Sequence, residues 1–239
     1  MVQLELDKSL FVPKFFPMLL DYSHRWEVYM GSAGSAKSYF ITQKLIVRAC
    51  REKVKILVCR RTATTIRNTC FSLFKDILTK WQLMPYVKIR ETDFNIKFPN
   101  GSEIIFIGLD EETKLLSLNG IGVIFVEEAY EVPKPIIEQL NLRLRGSTPN
   151  QQIIMAFNPI SQQSWLYDFC EINPPTSFIF PTPRRRSERG TSSSVSTSAD
   201  MQSRIRACLA AFACGDALGM ATEFMTRADI ERRFPGGVR

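Results

Sequence analysis

Histidine is almost missing from this chain of 239 residues: His24 is the single one. None of the six cysteines (Cys50, Cys59, Cys70, Cys170, Cys208, Cys214) stands at C-x-x-C spacing from another. These two absences exclude a Cys/His zinc cluster, and the thiols read as buried and reduced, as in a cytosolic protein. A long apolar run is also lacking. Near the N-terminus the longest, from Phe15 to Leu20, is broken by Pro17, is far too short to span a bilayer, and is followed by no cleavage-site pattern. A soluble, non-secreted protein without membrane association is expected. The formal charge of +7 is uneven, since residues 1–180 carry 21 Lys/Arg against 18 Asp/Glu and residues 181–239 carry 10 against 6. The body is close to neutral, so its charge gives no reason to expect nucleic acid as a partner.

What is present is enough apolar material, 45% of the residues, for one sizeable core or two small ones. The organising stretch is WEVYMGSAGSAKSYFITQKLIVRAC, residues 26–50. A short β-prone run leads into a loop of Gly31, Ser32, Ala33, Gly34, Ser35 and Ala36, then into Lys37 and Ser38 at the head of an apolar-periodic helix. Small residues let successive backbone N–H groups curl around a phosphate, and the helix dipole adds its positive end. Lys37 is placed to reach β- and γ-phosphates and Ser38 to ligate Mg²⁺. The strict pattern has glycine where this chain has Ala36. A left-handed conformation there costs roughly 1–2 kcal/mol. An ordinary Gly/Ser turn is the alternative at this point.

Further along, residues 54–59 (VKILVC) read as a buried strand, and a helix follows in which Thr64 or Thr65 can serve as the cap. Its Ile66, Cys70, Leu73, Phe74 and Ile77 share one face. The Asn100-Gly101 pair between alternating runs predicts a hairpin over residues 95–107. Residues 121–126 (IGVIFV) have the unbroken apolar character of a central parallel strand and end in Glu127 and Glu128. Two carboxylates there lie on the edge where open α/β sheets bind ligands. Glu127, where Asp is commoner, becomes the candidate for the Mg²⁺ shell, and Glu128 the candidate base that orients the attacking water. The competing account is that both acids favour the positive end of the helix started by Pro133 and Pro135. A last strand, residues 152–157, stops at Asn158-Pro159. Asn158 is either a γ-phosphate sensor or a turn initiator.

In this order the residues resemble a known family, the large terminase subunit of tailed bacteriophages in its PBSX-like prophage branch. The resemblance covers roughly residues 8–180 and rests on YMGSAGSAKSYF, VCRRTATTIRNTCFSLFKDIL, FIGLDEETKLLSLNGIGVIFVEEAYEV, RLRGSTPNQQIIMAFNP and SWLYDFC. It implies an α/β P-loop ATPase domain of the additional-strand type, with a mainly parallel central sheet and an inserted β-hairpin. ATP and Mg²⁺ are the implied cofactors. The implied partners are double-stranded DNA, a small terminase subunit and the capsid portal, in a ring of copies in the bacterial cytoplasm. Residues 31–38 resemble the Walker A loop, residues 121–128 Walker B with catalytic Glu128, and residues 157–159 the coupling motif. Ala33 stands where many relatives have an arginine, so Arg60, Arg61, Arg67, Arg143, Arg145 or a neighbouring subunit become the candidate finger. The family's nuclease half is not expected here, and no nuclease activity is expected.

After Phe180 the composition changes. Residues 181–200, rich in Pro, Arg and Ser, read as a disordered linker. From Met201 the sequence resembles the N-terminus of an ADP-ribosylglycohydrolase, including the GDALG turn and Glu223, and a short helical tail is expected. Three units are thus expected: 1–180, 181–200 and 201–239. Joining two truncated families points to a frameshift or recombination near Phe180. The alternatives to a motor ATPase are an inert prophage remnant, a nucleotide-binding module without motor activity, and, more weakly, a glycohydrolase fragment.

Overall fold

Eight strands, most of them rich in Val, Ile and Phe, pair into one sheet whose order is β3-β4-β5-β2-β6-β7-β1-β8. The structure is a computed structural model that describes residues 7–110, 118–158, 160, 161 and 163–179. The expected linker at 181–200, the tail from 201 with Glu223, most of the stretch leading from Asp110 to Leu118, and Pro159 lie outside these residues.

Strand β1 (Trp26–Met30) is followed by helix α1 (Lys37–Arg51), then β2 (Lys55–Arg60). Next come α2 (Ala63–Ile66), a π turn (Arg67–Phe71) and α3 (Ser72–Lys80), which together form one continuous rod. Strands β3 (Lys88–Arg90), β4 (Asn95–Lys97) and β5 (Glu103–Gly108) make the antiparallel edge. Then β6 (Val123–Glu127), α4 (Lys134–Arg143), β7 (Gln152–Phe157), α5 (Trp165–Tyr167) and β8 (Phe178–Ile179) complete the described chain. All pairings from β5 through β2, β6, β7 and β1 to β8 are parallel. β7 therefore stands between β1, which feeds the Gly/Ser loop, and β6, which carries the acids. That intervening strand is the additional strand that the family resemblance implies.

Alternation along the strands feeds two cores. Tyr29, Val58, Phe125 and Ile154 face α1 and α3, whereas Val28, Leu57, Val126 and Met155 face α4 and the segment around Leu166. Cover on both faces accounts for the unbroken apolar runs of β6 and β7. Residues 7–25 form a strap of two 3₁₀ turns that buries Phe11, Phe15 and Leu19 in the first core. Each of these contributes roughly 1.5–3 kcal/mol.

Two local expectations are corrected. The N-cap of α2 is Thr62, and neither Thr64 nor Thr65 caps it. Thr65 Oγ1 instead bonds Thr62 O at 2.9 Å, and the Ala63 amide donates to Asp110 Oδ1 at 3.0 Å. Gly108 permits that approach, because a Cβ there would lie 2.1 Å from Ala63 N. Leu73 sits at the margin of the core, and Phe71 takes a buried place beside Cys70 because the π turn adds a residue to the helical repeat.

Cys50, Cys59, Cys70 and Cys170 are free thiols. Burial pushes Cys50 up to about 11 and Tyr22 up to about 12. Both groups ionise at lower pH in the unfolded chain, so their contribution is complete below about pH 9 and is lost as pH rises through the folded values. The melting temperature is expected to fall steadily above about pH 9. A pH series of thermal melts checks this; a flat profile up to pH ~11 would contradict it.

Candidate functional site

The loop between β1 and α1 is shaped by its small residues. Gly31 donates its amide to Phe157 O at 3.2 Å, and Ser35 donates its amide to Ser32 O at 3.2 Å. Gly34 has φ +74°, and Ala33 is exposed beside it. Ala36, the N-cap of α1, adopts the left-handed conformation with φ 63° and ψ 17°, and no side chain caps the helix. The first-turn amides of a 15-residue helix thus open onto the loop, as an anion site requires. The Cβ of Ala36 costs roughly 1–2 kcal/mol in this conformation. Ala36→Gly is therefore expected to raise unfolding free energy by up to about 1 kcal/mol, once the extra unfolded-state entropy of glycine is subtracted. Urea titration of the two forms checks it.

Four side chains from three elements meet beside this loop. Lys37 Nζ donates to Asn158 Oδ1 at 2.9 Å and to Ser32 O at 3.5 Å. Ser38 Oγ donates to Glu127 Oε1 at 2.7 Å. Glu127 ends β6, Glu128 follows it and Asn158 follows β7, so the three strand ends β1, β6 and β7 share one rim. Glu128 is left-handed as well, with φ 51° and ψ 50°. Non-glycine residues held there are strained, and such strain gathers at sites where a side chain must be aimed.

Electrostatics at the rim are those of a partly dried cleft. Burial raises the Glu127 carboxyl, the Ser38 hydrogen bond lowers it, Glu128 raises it further, and Lys37 and Arg60 oppose the rise. Burial lowers Lys37, with Glu128 and Glu127 pulling the other way. Glu127 Oε2, Glu128 Oε2 and Ser35 Oγ are buried without a hydrogen-bond partner. Buried polar atoms require a partner, and at a cleft a bound ligand or ion is one way to supply it. The donor set offered by Ser38 and Glu127, a hydroxyl and a carboxylate, is that of a hard divalent cation.

All the sequence-derived candidates, Gly31, Ser32, Ala33, Gly34, Ser35, Ala36, Lys37, Ser38, Glu127, Glu128 and Asn158, thus lie along this rim. The arginines divide. Arg60 ends β2 next to β6, and its charge bears on Glu127. Arg143 and Arg145 lie beside Gly146, which bonds Ile121 O before β6 begins, at the opposite end of the sheet. Arg67 stacks over Phe94. Two features had no sequence signal: the π turn behind Arg60, and a buried ion pair of Glu27 with Lys44 beneath the strap.

Comparison with known proteins bears on the family and the fold. Residues 197–239, outside the described part, match the ADP-ribosylglycohydrolase family model. The PBSX phage terminase large subunit of Bacillus subtilis (strain 168) is 32% identical over 162 residues, covering 66% of this chain and 37% of that protein. The large terminase subunit of Bacillus phage SPP1 is 26% identical over 171 residues, 64% of this chain and 40% of its own length. The chain thus spans about two-fifths of these relatives. Among solved structures, the large terminase of a thermophilic bacteriophage superposes with TM-score 0.58 at 16% identity, covering 71% of this chain and 45% of its own. The N-terminal domain of the bacteriophage phi29 DNA packaging ATPase gives TM-score 0.54 at 16% identity, with 74% and 97% covered. The family model for the phage terminase large subunit matches residues 23–174, and the chain belongs to that family.

Proposed function

We propose that this chain carries the ATP-binding and ATP-hydrolysing site of a phage DNA-packaging motor. The observation that carries the proposal is the meeting of Lys37, Ser38, Glu127, Glu128 and Asn158 at one rim, at the ends of β1, β6 and β7. Support also comes from the large terminase of the thermophilic bacteriophage, solved in complex with ADP and with ATP-gamma-S, whose fold this chain shares.

In this proposal the loop amides of residues 31–38 and the dipole of α1 hold the phosphates. Lys37 leaves Asn158 Oδ1 to neutralise β- and γ-phosphate charge, and Asn158 is released. Exchange of that 2.9 Å bond is a two-state element that nucleotide biases directly. Ser38 and Glu127 fit Mg²⁺ by their oxygen donors and the unpartnered Glu127 Oε2, and would hold it. When bound, the ion offsets charge on the phosphate oxygens. Glu128 orients the attacking water and accepts its proton. In this reading the left-handed backbone at Glu128 sets where its carboxylate stands, and that charge bears on Lys37.

The partners belong to the same proposal: double-stranded DNA as the translocated cargo, a small terminase subunit, the portal, and further copies in a ring. With Ala33 in the loop, an activating arginine comes from elsewhere, and the isolated chain turns over slowly. A second reading, a nucleotide-binding module without turnover, is favoured by the strained Ala36. Steady-state phosphate release from ATP, with Mg²⁺ or with EDTA, separates the two. The motor reading expects release that requires Mg²⁺ and is abolished in Lys37→Ala. Release that persists in EDTA or in Lys37→Ala contradicts it.

A further inference from the structure

Arg60 occupies a place that the nucleotide-site roles above leave unused. The β2–β6 register runs from Ile56 beside Val123 to Cys59 beside Val126, so Arg60 comes next to Glu127 on the same face of the sheet. Its guanidinium lies between two neighbours, one hydrogen-bonded and one at ion-pair distance only. One NH group donates to Thr69 Oγ1 at 3.3 Å, and Nε lies 4.0 Å from Glu131 Oε2. Thr69 is the middle residue of the π turn, and its own hydroxyl donates to Thr65 O at 2.7 Å. A π turn inside an α-helical rod is rare and tends to sit where a side chain needs an unusual placement.

Glu131 closes the short 3₁₀ turn that begins at Glu128: its amide donates to Glu128 O at 2.9 Å, and the next amide, of Val132, donates to Ala129 O at 3.1 Å. The side chain of Glu131 is therefore a handle on the backbone of Glu128. Arg60 Nε is buried without a hydrogen-bond partner, and so is Glu128 Oε2. The cation and the acid lie at one rim with bonding capacity unspent.

We propose that Arg60 is a positioning residue: braced by Thr69 in the π turn, it holds Glu131 and so fixes the turn that keeps Glu128 left-handed and aimed at the cleft. It acts through Glu131 and does not contact nucleotide. Arginine suits the task because its planar fork engages two partners at once, whereas lysine offers a point charge. This inference rests on the ATPase assignment for its kinetic consequence and on the turn alone for its structural one.

The test has two arms. In hydrogen exchange of the nucleotide-free protein, Arg60→Ala and Glu131→Gln are each expected to speed exchange at the Glu131 and Val132 amides about tenfold, with the α1 amides unchanged. In steady-state hydrolysis, both variants lower kcat at least about tenfold with KM for ATP within about twofold, and the double variant is no worse than either single one. Arg60→Lys recovers only part of kcat. Unchanged exchange at the turn overturns the proposal whether or not the protein hydrolyses ATP. A loss confined to KM, a multiplicative double variant, or an inert Glu131→Gln beside a damaged Arg60→Ala also overturns it, and points to a direct phosphate contact by Arg60. Absence of hydrolysis in the wild type counts against the ATPase assignment and leaves the exchange result to decide this one.

Discussion

Glu128→Gln is expected to lower kcat for Mg²⁺-dependent ATP hydrolysis by about 10²–10⁴-fold, the usual contribution of a positioned general base. At 1.36 kcal/mol per decade this corresponds to about 3–5.5 kcal/mol of transition-state stabilisation. The substitution keeps the length of the side chain and removes the acceptor basicity. Because Glu128 follows the strand end, while the proposal places the phosphates on residues 31–38, nucleotide affinity should stay within about twofold. That split, large in kcat and small in binding, separates a base from a residue that merely supports the fold. Equal losses in both would place Glu128 among the binding residues.

The second large effect lies away from the site. Glu27 on β1 and Lys44 on α1 are fully buried, and Lys44 Nζ donates to both carboxylate oxygens at 2.8 and 2.7 Å. The third donor of Lys44 reaches Asp21 O at 2.7 Å, in the strap. Tyr29 and Gln152 also donate to the Glu27 carboxylate. Gln152 continues to His24 O and accepts from Arg48, which reaches Pro149 O and Asn150 O. One network thus ties the strap, β1, α1 and the start of β7.

Removing one partner leaves a buried charge without its counter-ion. Lys44→Met is expected to cost about 3–5 kcal/mol, and Glu27→Gln a similar amount. Against a total stability of roughly 5–15 kcal/mol this is a large share, and it should lower the melting temperature by about 6–20 °C. The double replacement Glu27→Leu/Lys44→Met is expected to be milder than either single change. It still forfeits about 1–3 kcal/mol for each donor, such as Gln152 Nε2, left with fewer bonds. Thermal or urea unfolding of the three variants checks the order; a double variant as unstable as either single one, or more so, would contradict it.

The parts of this molecule that were legible from its residues share a local cause. The strand before the loop, the apolar run of β6 and the Asn100-Gly101 hairpin announce themselves by periodicity or by turn chemistry, and Gly101 indeed takes φ +85°. The candidate site could be assembled from the sequence because Lys37-Ser38 open the helix after β1 and Glu127-Glu128 stand at the end of β6, and topology, not sequence distance, brings those two places together. The network under the strap was not legible for the opposite reason. Gln43, Lys44 and Arg48 look like the polar face of an amphipathic helix, and only the strap, with Leu10 O bonded by Gln43, turns that face inward. The cap of α2 was misplaced because three threonines lie within four residues, and the choice among them is made by Asp110, which is 47 residues away in the chain. The π turn has no sequence signature, so the burial of Phe71 that follows from it could not be read from the helical repeat.

The measurement that bears most directly on the central claim, one triphosphate site shared by Lys37 and Glu128, is an equilibrium titration of a fluorescent ATP analogue with Mg²⁺ into wild type, Lys37→Ala and Glu128→Gln. Saturable binding by wild type and Glu128→Gln, with a dissociation constant weakened at least about tenfold in Lys37→Ala, is the predicted pattern. Equal binding by wild type and Lys37→Ala, or no binding by wild type, would contradict it.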